Sequence, residues 1–98
     1  MTRIEATADC PALLEAVRAA PGDVVVVLGT DLGVLERALA SAAIGPLAIE
    51  RTPARVNAVD CGAGVAAADV ARALAFLEAA DCTTGQVLVL SARSAPTA

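Results

Sequence analysis

The chain contains no histidine, tyrosine, tryptophan or lysine, and its one aromatic residue is Phe76. Each absence removes a class of chemistry. General acid–base catalysis needs a titratable group with a suitable pKa, and the imidazole, phenol and amine are all missing. A zinc shell has no histidine to complete it, and Cys10, Cys61 and Cys82 form no C-x-x-C pair. Three cysteines so far apart do not make a disulfide framework, and all three are expected to be small apolar fillers of the core. The seven basic residues are arginines scattered singly, against a net charge of −4. With no basic stripe and no stacking aromatics, a nucleic-acid platform is not expected. The longest uncharged run, Ala38 to Ile49, is too short to span a bilayer and contains Gly45-Pro46. Met1-Thr2-Arg3-Ile4-Glu5 lacks the apolar segment of a signal peptide, so a cytoplasmic location is the expectation.

What is present is small and apolar. Ninety-eight residues make one domain, expected over residues 1–93, with a disordered tail over 94–98 that carries Pro96. A domain of this size buries about two-thirds of its unfolded surface. The hydrophobic fraction of 57% is inflated by alanine, which adds little burial per residue. Small side chains must therefore pack closely, or a partner must cover apolar surface.

Strands and helices alternate. Arg3 to Thr7 is a short first strand. Asp9-Cys10-Pro11 opens a helix with proline at its start, and Leu13, Leu14 and Val17 share one face. Pro21-Gly22-Asp23 stops it. Val24-Val25-Val26-Val27-Leu28 has the composition of a strand buried on both faces, as in a parallel sheet. Thr30 or Asp31 is placed to cap the second helix, whose buried face is expected at Leu35, Leu39 and Ala42, flanked by Ala38. Gly45-Pro46 should end or kink that helix, with one further turn over Leu47 to Glu50. Arg55 to Val59 forms the third strand, and Asp60-Cys61-Gly62-Ala63-Gly64 a glycine-rich loop. Ala67 to Ala80 is a helix with Val70, Leu74 and Leu77 on one stripe, and Gln86 to Leu90 the last strand. The fold class expected is α/β: a half-Rossmann three-layer sandwich of about four parallel strands with flanking helices, joined by right-handed crossovers.

Arg55-Val56-Asn57-Ala58-Val59, Ala68-Asp69-Val70-Ala71-Arg72-Ala73-Leu74-Ala75-Phe76-Leu77 and Thr84-Gly85-Gln86-Val87-Leu88-Val89 together resemble the closing part of a short-chain dehydrogenase/reductase. The resemblance is most specific over residues 55 to 90 and implies the second half of that fold. The family continues its strand with a residue followed by proline-glycine, where this chain has Asp60-Cys61-Gly62. The half that carries the glycine-rich pyrophosphate turn has no counterpart here. Gly62-x-Gly64 lacks the spacing of such a turn. The family's catalytic tyrosine falls at Gly33 or Leu32 and its lysine at Arg37 or Glu36, depending on the anchor chosen. The serine position falls near Gly29, beside Thr30. A cysteine at position 61 has no histidine or lysine to stabilise a thiolate.

The resemblance thus implies a reductase framework without catalytic, cofactor-binding or metal-binding residues. The leading expectation is a non-catalytic assembly subunit, a homo-oligomer or a hetero-oligomer with a full-length reductase. Family members pair through the two helices flanking the strand before the catalytic tyrosine, and through the last helix and strand. Here the last helix and strand supply Arg72, Phe76, Val87 and Val89 as interface candidates. A second expectation is a module for a small acyl or polyketide-like ligand, in a crevice lined by Gly29, Thr30, Asp60, Cys61 and Gly62. A third is a contribution in trans to an NAD(P)-dependent oxidoreductase site.

Overall fold

The computed structural model describes residues 1–93; the tail expected over 94–98 lies outside the described residues. Four strands and three helices alternate as β1 (Thr2–Glu5), α1 (Cys10–Ala19), β2 (Val24–Leu28), α2 (Val34–Glu50), β3 (Val56–Cys61), α3 (Ala67–Ala79) and β4 (Val87–Leu90). All strand pairs are parallel, and the sheet order is β1-β2-β3-β4. The expected α/β architecture is the one observed. No helix among the described residues is long and apolar enough to cross a membrane.

Every residue of β2 is buried. Val24, Val26 and Leu28 point to one face of the sheet, and Val25 and Val27 to the other. α1 and α2 cover the first face. They set Leu13, Val17, Ala40, Ile44 and Leu47 against those side chains and against Val56 and Ala58. α3 covers the second face, where Ala73 and Leu77 meet Val25, Val27, Val59 and Cys61.

This arrangement corrects the expected handedness. The strands are laid down in order, so each crossover steps the same way across the sheet. Its hand then depends only on the face its helix occupies. α3 lies on the face opposite α1 and α2, so the chain combines crossovers of both hands, against the usual right-handed rule. The loop through Gly62 and Gly64, the latter at φ 78°, carries the chain around the end of the sheet to the other face.

α1 starts as its sequence dictates. The Asp9 carboxylate accepts from the Ala12 amide at 3.0 Å, and proline sits in the first turn. α2 departs from expectation three times. Its N-cap is Gly33, with no side-chain cap from Thr30 or Asp31. It continues through Pro46 to Glu50. Pro46 faces solvent, so the Ala42 carbonyl that loses its helical donor lies on the wet side, where the loss costs least. Finally, Leu35, Leu39 and Ala42 are exposed, and the buried residues are Ala40, Ile44, Leu47 and Ala48. The cysteines are not uniform core fillers either: Cys61 is buried, Cys10 half-buried and Cys82 exposed.

Polar ties hold the ends together. Asn57, fully buried in β3, donates to the Thr83 carbonyl at 2.8 Å and accepts from the Gln86 amide at 3.1 Å. This fixes the turn into β4. The Arg51 guanidinium donates to the carbonyls of Ala20 and Gly22, both at 2.7 Å, and closes the turn after α1. Arg55 donates to the carbonyls of Leu77 at 2.8 Å and Ala80 at 2.6 Å, capping the C-terminus of α3. Its Nε donates to Asp23 at 3.0 Å, and its backbone amide donates to the same carboxylate at 2.8 Å.

Replacement Arg55→Met is expected to cost about 2 kcal/mol, because it leaves partly buried carbonyls and a carboxylate without donors. Urea denaturation at neutral pH reads this directly. The Asp23 carboxyl is held below its ordinary value, chiefly by the Arg55 amide and then by the Arg55 side chain. A depressed carboxylate stabilises the fold above the unfolded aspartate value of about 3.9, and that contribution fades as pH falls through the lower folded value. Asp23→Asn should therefore flatten the acid limb of the stability profile below about pH 4.

Candidate functional site

The C-terminal ends of the strands are where parallel sheets commonly bind ligands. Here that end is occupied by the chain itself. Arg37, in the first turns of α2, reaches back over the ends of β2 and β3. It donates to the carbonyls of Leu28, at 3.4 Å, and Gly29, and forms an ion pair with Asp60. Both side chains are mostly covered, 24% exposed for Arg37 and 17% for Asp60. Three internal acceptors thus engage the guanidinium at one of the two positions, 36 and 37, where the family resemblance puts a lysine.

The sheet divides the five residues expected to line one crevice. Neighbours along a strand point to opposite faces. Asp60 turns toward α2 and Arg37, while Cys61 turns toward α3. Gly29 joins the Arg37 cluster through its carbonyl. Gly62 bonds to β4, its amide donating to the Leu90 carbonyl at 3.0 Å. A Cβ at position 62 would sit 2.8 Å from that carbonyl oxygen, so the close approach requires glycine. Only Thr30 and Cys61 of the five line a common cavity. It is a cleft of roughly 400 Å³ on the α3 side of the sheet, with Arg3, Val27, Val70 and Leu74 among its walls.

The Cys61 thiol is poorly suited to nucleophilic work. Burial pushes its pKa up, and the negative charges of Asp60 and Glu5 push it further. A raised pKa keeps the sulfur protonated and inert at neutral pH. Among the described residues, no group of three His, Cys, Asp or Glu side chains gathers that could hold a metal ion.

Among the described residues, two apolar surfaces remain. Three of the four interface candidates, Arg72, Phe76 and Val89, line a shallow groove between α3 and the open edge of β4. Val87 is not with them. It is half-buried, pairs with Ala58, and packs against the core beneath α1 and α2. The other surface is the outer side of α2, where Leu35 is 68%, Leu39 47% and Ile49 79% exposed. Leu35, Ala42 and Ile49 recur every seven residues, with Ala38 and Gly45 between them, and no charged residue falls in this row. A helix apolar on both sides is normally covered on both sides. That signal was present in the sequence, but Leu35 and Leu39 compete with Ile44 and Leu47 for the inward face. Only the packing against β2 and β3 decides between the two.

The Arg37–Asp60 pair is testable as a unit. Arg37→Met is expected to cost about 3 kcal/mol, because Asp60 is left charged and partly buried. Arg37→Met combined with Asp60→Leu should cost less than Arg37→Met alone, a coupling that a double-mutant cycle in urea measures directly.

The family described as SDR-like, short chain dehydrogenase-like protein, matches residues 3–90, which span all four strands and all three helices but for the first residue of β1. No curated protein and no solved structure matches the chain. The matched span covers nearly the whole chain, and the chain belongs to the short chain dehydrogenase-like family.

Proposed function

We propose that the chain is a non-catalytic assembly subunit of this family, and that it pairs with a second copy of itself through the outer face of α2. The uncharged row Leu35, Ala38, Ala42, Gly45 and Ile49, exposed but for the half-buried Gly45, carries this reading. The row follows a seven-residue repeat over a helix about 25 Å long, the spacing and length of a short helix–helix seam. Its alanines and glycine let a partner backbone approach closely. A row without charges offers nothing to select a differently charged partner, and it is self-complementary across a two-fold axis. The groove beside Phe76 and Val89 is a second contact of the same kind at the other side of the sheet.

The absence of catalysis is part of the proposal. The chain has no phenol, amine or imidazole to carry a proton. Arg37, the basic residue nearest the expected lysine position, spends its donors on Asp60 and two backbone carbonyls. The segment resembles the part of the reductase fold that follows the nucleotide-binding half. Pairing, rather than hydride transfer, is the property such a segment can retain.

Light scattering after size exclusion should give twice the 9.7 kDa chain mass. Leu39→Glu, beside the centre of the row, should raise the dimer dissociation constant about thirtyfold, the effect of losing roughly 2 kcal/mol at an interface hot spot. The helical circular dichroism of the variant should stay unchanged. A monomer at every soluble concentration would overturn the reading. A mixed complex formed only on co-expression with a full-length reductase would replace the second copy by that partner.

A further inference from the structure

The cleft on the α3 side of the sheet has features that the pairing of α2 leaves unused. α1 and α2 cover one face of β1, β2 and β3, whereas α3 reaches only β2, β3 and β4 on the other. The second face of β1 is therefore left without a helix, and Arg3 and Glu5 stand there in the open. The cleft lies between this uncovered strip and α3.

Its composition is two-sided. Val27 and Cys61 form the floor, and Val70 and Leu74 of α3 form a wall. These are alkyl and neutral thiol surfaces, with no charge among them. At the rim stand Arg3 and the hydroxyl of Thr30. Arg3 spends its Nε on Glu5 at 2.9 Å. Among the described residues, its two terminal nitrogens and the Thr30 hydroxyl make no hydrogen bond.

The geometry points to a binding site for a small monocarboxylate with an unbranched alkyl tail: the tail over Val27, Cys61, Val70 and Leu74, the carboxylate on Arg3 and Thr30. One guanidinium with both terminal nitrogens free matches one carboxylate. Glu5 beside it disfavours a second negative charge on the ligand, which argues against phosphates and dicarboxylates. No aromatic side chain lines the cleft to stack a nucleotide base. A volume of roughly 400 Å³ is in the range of small-ligand sites and suits a chain of medium length. The site lies on the sheet face opposite α2, so it is open whether or not α2 is paired.

Sodium octanoate titrated into ¹⁵N-labelled full chain tests the proposal. Saturable shifts are expected at the amides of Val27, Thr30, Val70 and Leu74. Octan-1-ol, which has the same tail without the charge, should bind about fivefold more weakly, and so should octanoate to Arg3→Gln, the effect of losing an exposed charge-assisted contact. Ala71→Phe, an exposed α3 position on the cleft wall, should abolish binding while leaving the spectrum dispersed. Shifts that never saturate would overturn the site, as would shifts centred on Leu35 and Leu39. Equal affinity for octanoate and octan-1-ol would overturn the role of Arg3.

Discussion

The structure depends on one strand. β2 consists of four valines and a leucine, all buried, so it must be shielded on both faces. Three helices have to cover both faces of four strands, and the numbers do not come out even. Two helices pack on one face and one on the other. The asymmetry leaves a strip of β1 bare, places α3 on the opposite side, and brings crossovers of opposite hand into one small chain. The uncovered strip and the outward row of α2 follow from the same shortage of cover.

With Phe76 as its only aromatic side chain, the molecule closes its corners with arginines instead. Arg37, Arg51 and Arg55 each reach two or more backbone carbonyls at the ends of strands or helices. A guanidinium suits this work because its donors spread in a rigid plane and stay charged at any physiological pH. The same use explains why, among the described residues, the ends of β2 and β3 are closed over by Arg37. Arg37, the basic residue at that end, is already tied to Leu28, Gly29 and Asp60.

The order of elements was legible in the sequence, because the valine run, the Asp9-Cys10-Pro11 start and the stripe at Val70, Leu74 and Leu77 are local signals. The inward face of α2 was not. Leu35 and Leu39 are as apolar as Ile44 and Leu47, and only contact with β2 and β3 separates them. The face taken by α3 was hidden for a similar reason, since Leu77 and Ala73 carry no mark of the side they will cover. The grouping of Asp60 with Cys61 failed on simple alternation. Because β3 extends through Cys61 instead of ending at Val59, consecutive residues that a loop would keep together are sent to opposite faces.

Pro46 sets a condition on anything that lies along α2. Position 46 has no amide hydrogen, so the Ala42 carbonyl lacks its helical donor, and Ala42 is in the middle of the apolar row. Exposed to water, that oxygen is solvated at little cost. Sealed beneath another apolar surface it would be an orphaned acceptor. Any surface that covers the row must then keep a water molecule at Ala42 or bring a hydroxyl or amide to it, so the middle of the seam stays wet while its ends close. A single missing hydrogen thus determines where two surfaces may touch dry.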